Sequence, residues 1–179
     1  MTRHLERYDP VTVALHWAVA ALVLFQWVGG QTIDVFPRGP LRVDARSTHL
    51  VIGALLTALL LVRLFWRLMR GTRLPAATQG WLGVLARAVH GLLYLNLAIL
   101  LGLGLITEGL RGDSLFGWVK LPAFGLFEAE ERHAVVEQFI DYHGLAATVL
   151  LCLAGLHAGA ALIHHFLLKD GVLRRMAPR

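Results

Sequence analysis

The stretch from His143 to His157, HGLAATVLLCLAGLH, decides how this chain is read. No residue between the two histidines is charged, and the apolar run continues on both sides, roughly from Phe139 to Leu168. Read as an α-helix, the interval rises about 21 Å and turns through nearly four full revolutions. Both imidazoles then point to nearly the same side of one helix, at two different heights.

The rest of the chain says what solvent surrounds that helix. Of 179 residues, 56% are hydrophobic and 16% charged, and the mean hydropathy is +0.61. A soluble domain carries about 25% charged residues, so the deficit points to lipid. Four runs are long enough to cross a bilayer, which takes about 20 helical residues: roughly 11–30, 47–69, 81–107 and 139–168. Backbone polar groups in hydrocarbon must be paired within the segment or in a closed barrel. These runs lack the alternation of barrel strands. The expectation is an all-α integral membrane four-helix bundle, one domain over 1–179. The first run contains His16 and is followed by no clear small-residue cleavage site, so it is read as a retained helix and not a signal peptide. Pro37, Gly39 and Pro40 mark Gln31–Arg46 as a turn region. Gly71–Gly80 is a short connection, and Glu108–Gln138 is a long one with an amphipathic piece near Glu128–Val136.

The net charge is +5, but the arginines stand at the ends of apolar runs, as membrane flanks do, and no nucleic-acid motif is present. One side of the bundle collects Arg3, Arg7, Arg63, Arg67, Arg70, Arg73, Lys169, Arg174, Arg175 and Arg179, against the acids Glu6, Asp9 and Asp170. The other has Arg38, Arg42, Arg46, Arg111, Lys120 and Arg132 against nine acids. The basic side is expected in the cytoplasm, with both chain termini there. Cys152 is the sole cysteine and is expected to be a small packed residue.

Nine histidines need a reason, because ionisable residues inside a membrane are costly and commonly functional. His16, His49, His90, His143 and His157 fall within apolar runs, His164 and His165 lie near the end of the fourth, and His4 and His133 are peripheral. Placed by depth, His49 matches His143 on the outer side, and His16 or His90 matches His157 on the inner side. A lone buried histidine is more often a hydrogen-bonded core residue. Four at paired depths point to metal ligation. Zinc wants its ligands in one cluster, which a spread of about 21 Å does not supply. Haem fits, since two neutral imidazoles saturate its iron. With one cysteine no covalent attachment motif exists, so the haems would be b-type, two per chain. Gly53, Gly144, Gly155 and Gly159 would admit a flat ring, or serve helix–helix contact.

The chain resembles the bacterial cytochrome b561 family, of which superoxide oxidase is a type. The similar features are Tyr8-Asp9-Pro10 before Leu15-His16-Trp17, and Thr48-His49-Leu50-Val51-Ile52-Gly53. Val62-Arg63-Leu64, Trp66-Arg67 and Ala88-Val89-His90-Gly91-Leu92-Leu93-Tyr94 come next. Gly155-Leu156-His157-Ala158-Gly159, His164-His165-Phe166, Lys169-Asp170 and Leu173-Arg174-Arg175-Met176 close the series. Their order and spacing cover almost the whole chain. The resemblance implies a di-haem membrane bundle in the bacterial inner membrane, with ubiquinone as an electron partner. It implies His16 with His157, and His49 with His143, as the axial pairs. Arg63, Arg67 and His164 become candidates for haem propionate or quinone contact, although both arginines also read as snorkelling anchors. His90 is a candidate for the same contacts or for ligation.

Three functions follow. One is an oxidoreductase passing electrons from periplasmic superoxide to ubiquinone. A second is an electron-transfer subunit relaying between quinone and a partner dehydrogenase or periplasmic redox protein. A third is a haem-free bundle. Steering of superoxide requires Arg38, Arg42, Arg46 and Lys120 to gather near His49. Membrane lipid is a partner in every case, and a homodimer is left open.

Overall fold

The computed structural model describes residues 7–75 and 77–178. Arg3, His4, Glu6 and Arg179 lie outside that range. Four long helices dominate: α1 (Pro10–Thr32), α2 (Pro40–Met69), α3 (Gly80–Arg111) and α4 (Ala129–Ile163). All four are long and apolar enough to cross a membrane.

Local chemistry sets their ends. Asp9 caps α1, accepting from the Thr12 amide at 2.9 Å and the Thr12 hydroxyl at 2.6 Å, and Pro10 occupies the first helical position where its missing N–H costs nothing. Pro40 opens α2 in the same way, so that helix begins before its apolar run and carries Arg42 and Arg46 on its first turns. The segment around Glu128–Val136 is continuous with α4, whose first turn holds Glu130 and Glu131 where the helix dipole favours anions. At its other end α4 passes into a π-helical turn, His164–Leu168. Gly112, in the left-handed region at φ 62°, stops α3 and returns its N–H to the Glu108 carbonyl. A small antiparallel hairpin follows, β1 (Ser114–Leu115) with β2 (Val119–Lys120), Ser114 opposite Lys120.

The helices form two antiparallel hairpins, α1 on α2 and α3 on α4, with sparser packing between α2 and α3. One apolar cluster joins all four: Val19 from α1, Leu56 and Leu60 from α2, Leu97 from α3 and Leu150 from α4. Elsewhere large apolar side chains point outward, Leu61 at 62% exposure and Leu156 at 68% among them. That pattern suits a lipid solvent. Cys152 also lies on the exposed face, which corrects its expected place in the packing. A helix surrounded by hydrocarbon has no need to turn a small apolar thiol inward.

The face where α1 begins and α4 ends is laced by polar contacts. Asp9 also accepts from the Trp66 indole (3.1 Å) and the Thr72 amide (3.0 Å). The tail crosses back over α1, with Trp17 donating to the Met176 carbonyl at 2.8 Å and Arg175 to the Pro75 carbonyl at 2.8 Å.

Candidate functional site

The five histidines of the apolar runs gather into two groups, with His16, His49, His143 and His157 half-buried and His90 exposed. Near the face bearing the β1–β2 hairpin, His49 of α2 and His143 of α4 face each other with ring centroids 6.2 Å apart. Near the face where α1 begins and α4 ends, His16 of α1 and His157 of α4 stand 6.3 Å apart, and His90 of α3 lies 4.9 Å from His157. Leu150 is seven residues from either α4 histidine, so the apolar cluster lies between the two groups.

These separations can be tested against a bridging metal ion. A metal–imidazole nitrogen bond is about 2.0 Å, and a five-membered ring of roughly 1.33 Å bonds has its centre about 1.1 Å from each atom. Two imidazoles bound end-on to one ion therefore need centroids about 6.2 Å apart. Both His49–His143 and His16–His157 meet that requirement, whereas His90–His157 is too close. Among the described residues no three or more His, Cys, Asp or Glu side chains cluster as a metal site. Each level thus offers a pair of imidazole nitrogens, a donor set that would fit bis-imidazole haem ligation.

The space around the rings fits as well. A β-carbon on Gly30 would lie 3.4 Å from His49 Cε1, and one on Gly104 would lie 3.2 Å from His143 Cε1. These glycines of α1 and α3 cradle the two rings. Among the glycines singled out from sequence, Gly53 instead receives the Gln26 amide, while Gly144, Gly155 and Gly159 have no neighbour within 4 Å of a β-carbon position.

Hydrogen bonds fix ring tautomers. His143 Nδ1 is 3.0 Å from the Leu100 carbonyl, which can only accept, so Nδ1 carries the hydrogen and Nε2 keeps its lone pair. His90 does the same against the Ala86 carbonyl at 2.6 Å. At His16 the partner is Arg63, 2.9 Å from Nδ1. A guanidinium can only donate, so here the hydrogen sits on Nε2. Metal binding through that atom requires Arg63 to leave. Arg63 also stacks on Tyr94, its guanidinium carbon 5.3 Å from the ring centre.

The remaining candidates are distributed unevenly. Arg67 is exposed toward the same end of α2. His164 is held by Asp170, Nδ1 to Oδ2 2.5 Å, and so belongs to the turn that ends α4. Burial raises the Asp170 carboxyl, but the His164 contact and the Val172 amide outweigh it and hold the group below its usual range.

Three of the six basic residues of the hairpin-bearing face are engaged in ion pairs. Arg42 pairs with Asp34 at 3.4 Å, and Asp113 takes both Arg46 (3.2 Å) and Arg111 (3.3 Å). Arg46, Ser47, Leu50, Glu108 and Asp113 line a cavity of about 270 Å³ beside the His49 turn. Ser47 is buried and accepts from the Phe116 amide at 2.8 Å, tying the hairpin to α2. Sequence reasoning missed Gln26, Gly29, Gly30, Gly104 and Asn96, whose amide donates to the Ala146 carbonyl at 2.9 Å. A polar amide in an apolar run was the available signal for Gln26 and Asn96. The cradling glycines had none, since their partners come from other helices.

The family model of prokaryotic cytochrome b561 matches residues 7–179. The chain is 30% identical over 179 residues to the probable superoxide oxidase CybB of Yersinia pestis, covering 97% of each chain. It is 31% identical over 178 residues to cytochrome b562 of Cereibacter sphaeroides, covering 94% of each. It is 27% identical over 179 residues to cytochrome b561 homolog 1 of Escherichia coli, covering 98% of this chain and 99% of that one. Matched along its four membrane-length helices and through both histidine groups, the chain belongs to the prokaryotic cytochrome b561 family of membrane electron-transfer proteins.

Proposed function

We propose that this cytochrome carries two b haems, one between His49 and His143 and one between His16 and His157, and moves electrons from periplasmic superoxide to ubiquinone. The reading places both termini in the cytoplasm and the chain in the bacterial inner membrane, as the basic residues near the termini favour. One observation carries it: two imidazole pairs, at 6.2 and 6.3 Å, stacked at two depths along one helix. A haem saturated by two imidazoles supplies one-electron chemistry without an open coordination position.

The protein's own residues do the rest. Leu100 holds His143 in the ligating tautomer, and the cradling glycines let both outer rings lie against helix backbone. On the inner side, His16 would hold a haem only with Arg63 turned away from its Nδ1, and the freed guanidinium would be placed to meet an anionic group such as a propionate. His90 keeps a free Nε2 beside His157 and serves as a polar neighbour, its spacing favouring His16 as the ligand. Arg67 and His164 stand toward the inner boundary, where a quinone headgroup would arrive. Each superoxide loses one electron and leaves as dioxygen; two electrons and two protons convert the quinone to quinol.

The cavity beside His49 has room for a small solute, and Arg46 in its wall favours an anion. Asp113 and Glu108 share that wall, and this favours a second reading, a carrier fed by a partner redox protein. A reduced-minus-oxidised spectrum with haem quantification tests the common core, which requires low-spin b haem at two per chain; a colourless preparation from haem-replete cells would sink it. Rapid mixing with superoxide then separates the readings. Fast haem reduction by the purified chain supports the first, and reduction only by a copurifying dehydrogenase supports the second.

A further inference from the structure

Two buried side-chain polar atoms lack a hydrogen-bond partner among the described residues, Oε1 of Gln26 and Nδ1 of His49. They belong to one local unit. Gln26 is 9% exposed, and its Nε2 donates to the backbone carbonyl of His49 at 2.7 Å. The amide comes this close because Gly53, one turn beyond His49, has no side chain; a β-carbon there would stand 3.2 Å from Nε2. Gly29 and Gly30 follow Gln26 at the i+3 and i+4 positions, on the same face of α1. The His49 ring lies over them, with Nδ1 3.8 Å from the β-carbon position of Gly29. One stripe of α1 thus touches both the backbone and the ring of His49.

The two unpartnered atoms are chemically complementary. Oε1 can only accept. If Nε2 of His49 binds iron, Nδ1 must carry a hydrogen and can only donate. A metal-bound imidazole almost always gives that hydrogen to an acceptor, which orients the ring and raises its basicity. His143 has the Leu100 carbonyl for this purpose; His49 has no acceptor in place. We propose that Gln26 is a positioning residue for His49: its Nε2 pins α2 at the His49 carbonyl, and its Oε1 accepts the Nδ1 hydrogen, through a turn about the soft terminal amide torsion or through one bridging water. The role rests on the reading of His49 as an axial ligand. Its consequence is electronic. An acceptor on Nδ1 makes the ligand a stronger donor, stabilises ferric iron, and lowers the potential of the outer haem relative to an unbonded imidazole.

The test uses the full chain purified with its haems. Gln26→Met keeps the side-chain length and removes both polar atoms. Gln26→Glu keeps a carboxyl oxygen able to accept in either protonation state. Each haem is titrated by spectroelectrochemistry and followed in the ferric state by low-temperature electron paramagnetic resonance. Gln26→Met should shift the outer haem toward the reduced form by up to about tenfold, about 59 mV for one electron, change its ferric signal, and leave the inner haem alone. Gln26→Glu should hold the outer haem at or below the wild-type potential. An unchanged outer potential and signal in Gln26→Met, or equal shifts in both variants, would overturn the role. If Gln26→Met loses the outer haem altogether, retention by Gln26→Glu supports the role and equal loss overturns it. A wild-type protein with no bis-imidazole signal would remove the ligand reading itself, and this role with it.

Discussion

The imidazole of His143 rests on Gly104, with Cε1 3.2 Å and Nδ1 3.4 Å from the point a β-carbon would occupy. The contact is tight enough that an added methyl must displace the ring by a few tenths of an ångström. Helix propensity runs the other way, since alanine favours a helix over glycine by about 1 kcal/mol. Gly104→Ala should therefore leave helicity intact while weakening haem retention at the His49–His143 level. Gly104→Val should cost about 1–3 kcal/mol in overpacking and reduce the haem content from two toward one per chain. Two haems and an unaltered spectrum in Gly104→Val would show that this close approach does not matter.

Removing one α4 histidine should separate the two levels. His143 and His157 have different partners, and the cluster of Val19, Leu56, Leu97 and Leu150 lies between them. His143→Ala should lose the outer haem and largely spare the inner one, and His157→Ala should do the reverse. Haem per chain and the split of the visible α-band measure this. Equal loss of both haems in either variant contradicts the pairing.

Asp113, in the wall of the cavity beside His49, pairs with both Arg46 and Arg111. Asp113→Asn should leave both guanidiniums free to attract an anion. If superoxide is the donor, the rate of haem reduction should rise, up to about tenfold at low salt, with a steeper dependence on ionic strength. A rate indifferent to both the substitution and salt speaks for delivery by a partner protein.

Asp9 collects four donors, from Thr12 twice, Trp66 and Thr72. Burial raises its carboxyl, but the bonds from Thr12, Thr72 and Trp66 outweigh burial and hold it far below the usual carboxylate range. A depressed folded value means the stabilisation is fully present above the unfolded value of about 3.9 and fades as pH falls toward the folded one. The α1–α2 junction should therefore withstand mild acid and loosen only well below pH 4, as read from Trp66 fluorescence in detergent. Asp9→Ala removes the cap at about 0.5–2 kcal/mol and should bring a lower thermal midpoint without acid sensitivity at this junction. A variant as stable as wild type would show that the network contributes nothing.

Much of this architecture was already legible in one dimension. Lipid as solvent forces uncharged runs of sufficient length into helices, so composition and run length alone implied four membrane-length helices. The helical repeat brought His143 and His157 to one side of α4 from their spacing. Sequence went less far at the helix ends, where Pro40 starts α2 ahead of its apolar run and the amphipathic piece near Glu128–Val136, read as part of a connection, is the start of α4. Caps and charged first turns extend a helix beyond the hydrocarbon, and hydropathy does not register them.

What only the tertiary structure decided is which groups meet across helices. The 6.3 Å spacing of His16 and His157, against 4.9 Å for His90 and His157, depends on how α1 and α3 are rotated and set against α4. The capture of Arg46 by Asp113, 67 residues away, arises because the hairpin after α3 folds onto the start of α2. The seating of the outer rings on Gly30 and Gly104 likewise joins residues of different helices. Solvent selects helices one segment at a time, so their existence is written locally. Axial rotation and relative height are fixed by side chains from several helices packing at once, and a linear pattern does not carry that information.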